Sequence, residues 1–426
     1  MHGHSSDQPV TRRGVIGLTA AAVWGGPSVA RRLRPAPADE FVASVGLCVH
    51  LSSPPYSEMF NKVLHCTRDL GVRHLRDDLR PSDDLKRWRA LFSKAGVRAH
   101  LLVSPATNTP AEMMDYILAL DPGGVSAIEG QNEGDSSWFR AQPSARPNWD
   151  AAVVAYQREI FTAVRARFPA TALPVVSPTV LDYEPGDMLA LRAAAPFTDI
   201  VALHAYVQEE QEPETTDPYA ALGWYLRKMR DGFKPDAPVM ITEAGYRTGP
   251  TGVSDRAAAI YLPRLLLNAF DQGILRSFIY ELFDEGTDAA DPEPNYGLLR
   301  SDGTPKPAYH ALRILLNELT DPGPAFEPAP IEIGVEHARP GVRLISFAKR
   351  DGRHILAVWR ARSVWDRRRR RDIPVRSELV GFVFGRPPRG LATRVVYPQN
   401  DWQQIPAKQE INVTVSEFVT MVRIDW

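Results

Sequence analysis

Residues 71–103 read GVRHLRDDLRPSDDLKRWRALFSKAGVRAHLLV. An apolar run (72–79) leads into a segment with apolar residues at three- and four-residue steps (83–95), and a second apolar run (97–103) follows. Gly71 and Gly96 stand where a helix ends and the next run begins, the place for a left-handed cap. Such a unit of strand, helix and strand belongs to a parallel sheet.

Working outward, the same unit recurs. Strand candidates are 45–51, 72–79, 97–103, 125–131, 173–178, 200–206, 239–243 and 277–283, with helix candidates at 56–70, 83–95, 110–120, 151–168, 218–231 and 254–272. Gly273 repeats the cap before the last strand. Eight units in about 280 residues predict a closed (β/α)8 TIM barrel over 39–322. A doubly wound open sheet is the alternative, but no glycine-rich phosphate fingerprint follows the first strand.

From Pro322 the texture changes to Pro322-Gly323-Pro324, Pro328 and Pro330, then alternating segments at 343–349, 355–361, 379–384, 393–397 and 411–424. These predict a small C-terminal antiparallel β domain, sandwich-like, over 323–426. Its run Arg367 to Arg371, flanked by Asp366 and Asp372, reads as a solvated loop, or as a grip on an anionic polymer or membrane surface.

Residues 1–38 read as a twin-arginine-type signal peptide. Arg12 and Arg13 precede a weakly apolar stretch (15–30), then come Arg31, Arg32, Arg34 and the small-residue pattern Ala36-Pro37-Ala38. Cleavage is expected near Ala38, with Ala30 as second candidate, and the product is expected in the periplasm or outside the cell. Removing five Arg and one Asp leaves 45 basic and 50 acidic residues. That balance argues against nucleic acid as a partner. His2 and His4 have metal-pair spacing but lie in this segment without a carboxylate or Cys to complete a site. No metal and no cofactor is expected, and Cys48 and Cys66 are expected as two buried free thiols.

In a barrel, reacting side chains come from the carboxyl ends of the strands. The fourth strand candidate ends Glu129-Gly130-Gln131-Asn132-Glu133-Gly134 and the seventh ends Ile241-Thr242-Glu243-Ala244-Gly245, so Glu133 and Glu243 face one cavity. A second Asn-Glu pair, Asn317-Glu318, lies in an amphipathic surface helix with no such partner, so position and not the dipeptide selects Glu133.

Residues 42–320 resemble the clan A retaining glycoside hydrolases, which carry Asn-Glu after strand four and Glu after strand seven of a TIM barrel. The resemblance extends to Arg76 at the end of strand two, to His204-Ala205-Tyr206 at the end of strand six, and to Tyr296-Gly297-Leu298-Leu299 through Asp302–Tyr309 after strand eight. Families 5 and 39 are the most similar. Family 5 often carries tryptophan at the end of strand eight, where this chain has Tyr280-Glu281-Leu282-Phe283-Asp284.

Cleavage through an oxocarbenium-like state needs one carboxylate to attack and one carboxylic acid to protonate the leaving oxygen. Glu243 is expected to attack and Glu133 to serve as acid and then base. Arg76 and Tyr206 are suited to aim Glu243, Asn132 to bond the sugar 2-hydroxyl, and His204 to support one of these groups. Arg76 could instead pair with Asp77 or Asp78. Sugars stack on aromatic rings, which makes Trp138, Trp149, Tyr246, Tyr280 and Phe283 candidate contacts, with Trp138 first and with Glu281 and Asp284 as hydroxyl partners. The substrate is expected to be an oligo- or polysaccharide. A transglycosidase using the same residues, or a non-catalytic polysaccharide-binding envelope protein, are the competing readings. A metal-dependent hydrolase is disfavoured because the strand ends offer no His-x-His and no clustered His and Asp set.

Overall fold

The computed structural model describes residues 31–80, 84–181, 185–207, 210–217, 220–286, 295–398 and 401–426. Eight parallel strands build the barrel: Val45–Cys48, His74–Asp78, Arg98–Leu102, Val125–Glu129, Val175–Val176, Val201–His204, Val239–Ala244 and Arg276–Ile279. Their spatial order is five, four, three, two, one, eight, seven, six. A parallel bridge, Val176 to Ile200, joins strands five and six, and Ala202 N–H donates to Ser177 Oγ at 2.9 Å across the same seam. The ring is thereby nearly closed, and all eight strands fall on the expected runs.

The barrel floor is filled by small and large side chains in alternation. A Cβ on Gly46 would lie 2.5 Å from the Phe278 ring, so glycine makes room for that ring at the axis. His100 meets Phe278 edge-on at 4.9 Å, and Ala127, Val176, Ile200, Ala202 and Met240 form an inner apolar cluster. Above this floor the interior turns polar.

Around the strands run helices whose apolar faces were legible. Pro110–Leu120 begins with a capping box, in which Thr109 Oγ1 accepts from Glu112 N–H at 3.2 Å and Glu112 Oε2 accepts from Thr109 N–H at 2.8 Å. Ser254 Oγ caps Asp255–Asp271 by accepting from Ala257 N–H. The link from strand five to six departs from expectation, as it holds two short pieces, Pro185–Ala190 and a 3-10 turn Leu191–Phe197. Pro196 and the brevity of each piece hide the helical period there.

The C-terminal domain has a four-stranded antiparallel sheet and a six-stranded sheet that is antiparallel except at one edge, packed around Leu356, Val358, Phe382, Phe384, Val415 and Val422. The segment 411–424 is two strands, Glu410–Val415 and Thr420–Asp425, and Ile331–Glu336 is a further strand that the proline-rich reading missed.

The domain boundary also moves. Arg31–Leu33 pairs antiparallel with Ile331–Ile333, Ala36–Pro37 pairs in parallel with Phe347–Ala348, and Ala38 is fully buried at the start of helix Ala38–Ala43. Residues 31–37 therefore complete both sheets of the C-terminal domain, and only 1–30 of the expected signal lies outside the described residues.

Barrel and β domain are joined by buried polar and aromatic contacts. Arg264, fully buried, donates to Glu214 and to Arg362 O, and Trp359 Nε1 donates to Glu214 at 2.6 Å. Phe41, Phe270 and Phe347 pack together in edge-on and tilted contacts. Glu318 of the second Asn-Glu pair is engaged with Arg394 of the β domain. Cys48 and Cys66 are buried free thiols.

The arginine run caps a hairpin (Trp365–Asp366 with Arg371–Asp372) that docks on the loops after strands six and seven. Trp365 Nε1 donates to Glu210 Oε2 at 2.7 Å, Arg370 lies over the Trp365 ring, and Arg369 pairs with Asp366 at 3.1 Å. Arg367, Arg368, Arg369 and Arg371 are exposed.

Candidate active site

Strands two, four, six and seven each deliver one or more side chains to the carboxyl end of the barrel. Glu243, at the end of strand seven, is nearly buried and fixed on both oxygens: Arg76 NH1 donates to Oε1 at 2.8 Å and Tyr206 OH donates to Oε2 at 2.9 Å. Arg76 does not pair with Asp77, whose oxygens accept instead from the backbone N–H groups of Leu51 and Asp78. Glu129 and Glu243, two carboxylates against one guanidinium, outweigh the burial that opposes the Arg76 charge.

Glu133 projects from the turn after strand four with φ of 43°, in the left-handed region that a non-glycine residue seldom adopts. The turn is held by Glu133 N–H donating to Thr179 Oγ1 at 2.9 Å and by Gly134 N–H donating to Thr179 O at 3.0 Å. Gly134 beside it relieves crowding, because a Cβ there would meet the side chains of Val153 at 3.0 Å and Trp149 at 3.2 Å. Strain held this way by neighbours is a mark of functional sites.

His204 Nδ1 lies 2.9 Å from Glu133 Oε1 and 3.6 Å from Glu243 Oε2. Burial would depress this imidazole, but the two glutamates prevail and raise its pKa, so it keeps its proton to higher pH than an ordinary histidine. An oxygen of Glu133, an oxygen of Glu243 and a nitrogen of His204 all lie within 4.8 Å of one another. Asn132 Oδ1 accepts from Arg76 NH2 at 2.8 Å, which turns its amide NH2 group away from the guanidinium. The sequence-predicted set Glu133, Glu243, Arg76, Asn132, His204 and Tyr206 is thus one contiguous cluster.

The aromatic and strand-eight candidates divide. Trp138 is 57% exposed on the short helix Ser137–Arg140 that follows Glu133. Tyr280 is half-buried and forms an aromatic wall with Tyr206 and Tyr296, with centroids 5.6 to 6.5 Å apart. Tyr246 is buried, donates its hydroxyl to Gln211 O at 2.8 Å and packs on Tyr261, so it is a core residue. Phe283 is fully buried against Tyr56, and Trp149 is half-buried under Arg140.

Asp284 is likewise structural: it is buried, pairs with Lys306 at 2.7 Å and accepts from Gly297 N–H at 2.8 Å. Glu281 is fully buried and accepts from Tyr56 OH at 2.6 Å. Burial pushes the pKa of its carboxyl well above the usual carboxylate range. The reason for both corrections is direction, since these side chains leave the strand toward the wall and not the cleft.

Four residues that matter here were missed. His50 and Glu285, each about 30% exposed in the side chain, stand 2.5 Å apart at the same rim, with Glu281 Oε2 3.5 Å from His50 Nδ1. His50 lies at the end of the first strand run and Glu285 two residues beyond the eighth, a positional signal in the sequence. Glu129 and His100, fully buried beneath Arg76, are the other two. A charged residue at the inward position of an apolar run was the signal for Glu129.

No family model matches the sequence and no curated protein matches it. Solved structures do match. A family 39 glycoside hydrolase from the gut symbiont Bacteroides cellulosilyticus WH2 is 16% identical, with a TM-score of 0.61 over 92% of this chain and 82% of that one. A glucosidase from Croceicoccus marinus is 12% identical, with a TM-score of 0.60 over 85% and 92%. Xyn30A, a family 30 subfamily 8 xylanase from Clostridium acetobutylicum, is 12% identical, with a TM-score of 0.53 over 93% and 98%. The chain shares its barrel with appended β domain with these glycoside hydrolases, and its fold is theirs.

Proposed function

We propose that the protein is a retaining glycoside hydrolase acting on an oligo- or polysaccharide by double displacement. The observation that carries this reading is the closeness of the two carboxylates, with one oxygen of each inside a 4.8 Å cluster at the strand ends. Retaining enzymes hold their carboxyl groups about 5–5.5 Å apart, whereas inverting ones need roughly 6.5–9.5 Å to admit a water.

Glu243, aimed by Arg76 and Tyr206, attacks the anomeric carbon while Glu133 gives its proton to the leaving oxygen. In the second step Glu133 takes a proton from water, the water oxygen bonds to the anomeric carbon, and the Glu243 ester bond breaks. The amide NH2 of Asn132 bonds the sugar 2-hydroxyl. Trp138 offers an exposed ring for a further sugar, and His50 and Glu285 offer polar atoms at the strand ends.

The test is incubation with 2-deoxy-2-fluoro glycosides of several sugars, followed by peptide mass mapping. A stoichiometric label on Glu243 is expected. Label on another residue overturns the mechanism, and binding of saccharide without turnover or label favours the non-catalytic reading.

The same reading places the protein outside the cytoplasm through the twin-arginine signal, with cleavage after Ala30. Support for that position is the pairing of Arg31–Leu33 and Ala36–Pro37 with the C-terminal sheets, which cleavage after Ala38 would remove. Intact mass of the exported protein distinguishes the two. No helix among the described residues is long and apolar enough to cross a membrane.

A further inference from the structure

Two of the hydrogen bonds that Arg76 donates point away from the glutamate it aims. Its Nε and NH2 donate to Glu129 Oε2 and Oε1 at 2.7 and 3.1 Å, while NH1 reaches Glu243 at 2.8 Å and NH2 also reaches Asn132 at 2.8 Å. A guanidinium is a planar fork, so gripping its Nε edge with both oxygens of a carboxylate fixes the direction of the remaining donors. Glu129 is itself gripped: His100 Nε2 lies 2.8 Å from Oε2, and both residues are fully buried.

Burial lowers the His100 pKa against the pull of Glu129, so the ring is neutral and its Nε2 hydrogen points at the carboxylate. Nδ1 of the same ring has no hydrogen-bond partner among the described residues, as the unprotonated nitrogen of that tautomer.

Stability alone does not account for this arrangement. A buried ion pair seldom stabilises more than apolar side chains of similar volume, and this barrel also holds a buried apolar cluster of Ala127, Val176, Ile200, Ala202 and Met240. Substrate contact does not account for it either, because Glu129 has no exposed surface and Arg76 stands between it and Glu243.

We propose that Glu129, backed by His100, is a positioning residue that clamps the Nε edge of Arg76, so that one guanidinium aligns the nucleophile Glu243 and the sugar-facing amide of Asn132 together. The inference rests on the reading of Glu243 as nucleophile. The charged and titratable groups around Glu243 are Arg76 and Cys48 from strands two and one, His204 and Tyr206 from strand six, and Glu133 from the turn after strand four. Glu129 acts on this set through Arg76.

The test compares the full chain with Glu129→Gln and Glu129→Asp by kinetics and by crystallography. Glu129→Gln keeps the shape and removes the charge that grips the fork. It is expected to lower kcat about 10- to 100-fold with KM within about twofold, the scale of a small misplacement at a reacting centre. Its crystal structure should show Arg76 NH1 beyond hydrogen-bond reach of Glu243, and Glu129→Asp, which restores the charge, should recover part of kcat.

A Glu129→Gln enzyme with parental kcat, or with the Arg76 to Glu243 contact intact, overturns the proposal. Should that variant fail to fold, His100→Ala is read by the same two measures, displacement of Arg76 with lower kcat supporting the clamp and parental values for both refuting it. If the parent turns over no glycoside, the glycosidase reading falls, and the crystallographic comparison still decides whether Glu129 sets Arg76.

Discussion

The ends of strands four and seven and the end of strand eight carry the same kind of side chain in opposite environments. Glu133 and Glu243 open on the cleft, each with a named partner that orients it. Glu281 and Asp284 turn into the wall, where Tyr56 and Lys306 satisfy them. A carboxylate at a strand end is thus a candidate only. Which way its backbone turns, and whether a cation or a hydroxyl waits in the wall, decides if it reacts or supports.

The contrast can be broken most forcefully at Glu243. Glu243→Gln keeps the shape and removes the attacking charge, and kcat on a glycoside that labels the parent should fall by roughly 10⁴-fold or more. Glu133→Gln should cost about 10²–10⁴-fold on substrates with poor leaving groups and far less on activated aryl glycosides, where no proton is needed at the leaving oxygen. Equal losses on both substrate types would remove Glu133 from its role as acid.

The strand-eight side should respond in stability before activity. Asp284→Ala strands the buried Lys306 ammonium and is expected to cost about 3–5 kcal/mol in urea denaturation, with kcat on the folded fraction close to the parent. A large kcat loss at unchanged stability would return Asp284 to the substrate.

A smaller effect, with a definite pH dependence, is expected at the rim. Burial opposes protonation of His50, but the hydrogen bond to Glu285 and the charges of Glu281, Glu285 and Asp77 push its pKa up to about 10. A folded value above the unfolded one means stability that is fully present below about pH 6.5 and lost as pH rises through about 10. Glu285→Gln should therefore destabilise by about 1 kcal/mol near pH 6, a half-exposed pair being screened, and by nothing measurable above pH 10.5. A difference that is flat with pH would mean that the pair contributes no charge coupling.

The smallest effect belongs to Glu281→Gln. Burial disfavours the charged form of Glu281 and raises its pKa, so an amide of the same shape should change stability by under about 1 kcal/mol at pH 7. A loss of several kcal/mol would show that Glu281 is ionised and closer in kind to Glu243 than to Asp284.

Much of this protein was legible from local pattern. The eight parallel strands, most of the helices and the glycine caps at Gly71, Gly96 and Gly273 are written in the period of apolar residues and in backbone freedom, which involve neighbours a few residues apart. Glu133 and Glu243 followed from the rule that parallel strands all point their carboxyl ends to one face. Without that rule Asn317-Glu318 would have looked as good.

What local pattern could not decide was direction and partnership across the sheet. Tyr246 and Asp284 sit on the expected loops yet face inward, and residues 31–37, read as signal, finish sheets whose other strands lie some 300 residues away. Arg76 meets Glu129 and Glu243 across separations of 53 and 167 residues.

The amino-acid sequence by itself determined the barrel, the rim and the two carboxylates, because periodicity and strand polarity are properties of short segments. Only the tertiary structure decided that Glu129 stands under Arg76, that Glu281 is buried with its pKa raised, and that residues 31–37 pair with the C-terminal sheets. Ionisation and hydrogen-bond geometry depend on which groups are brought within about 3 Å and how much water is excluded, and those are set when the ring closes.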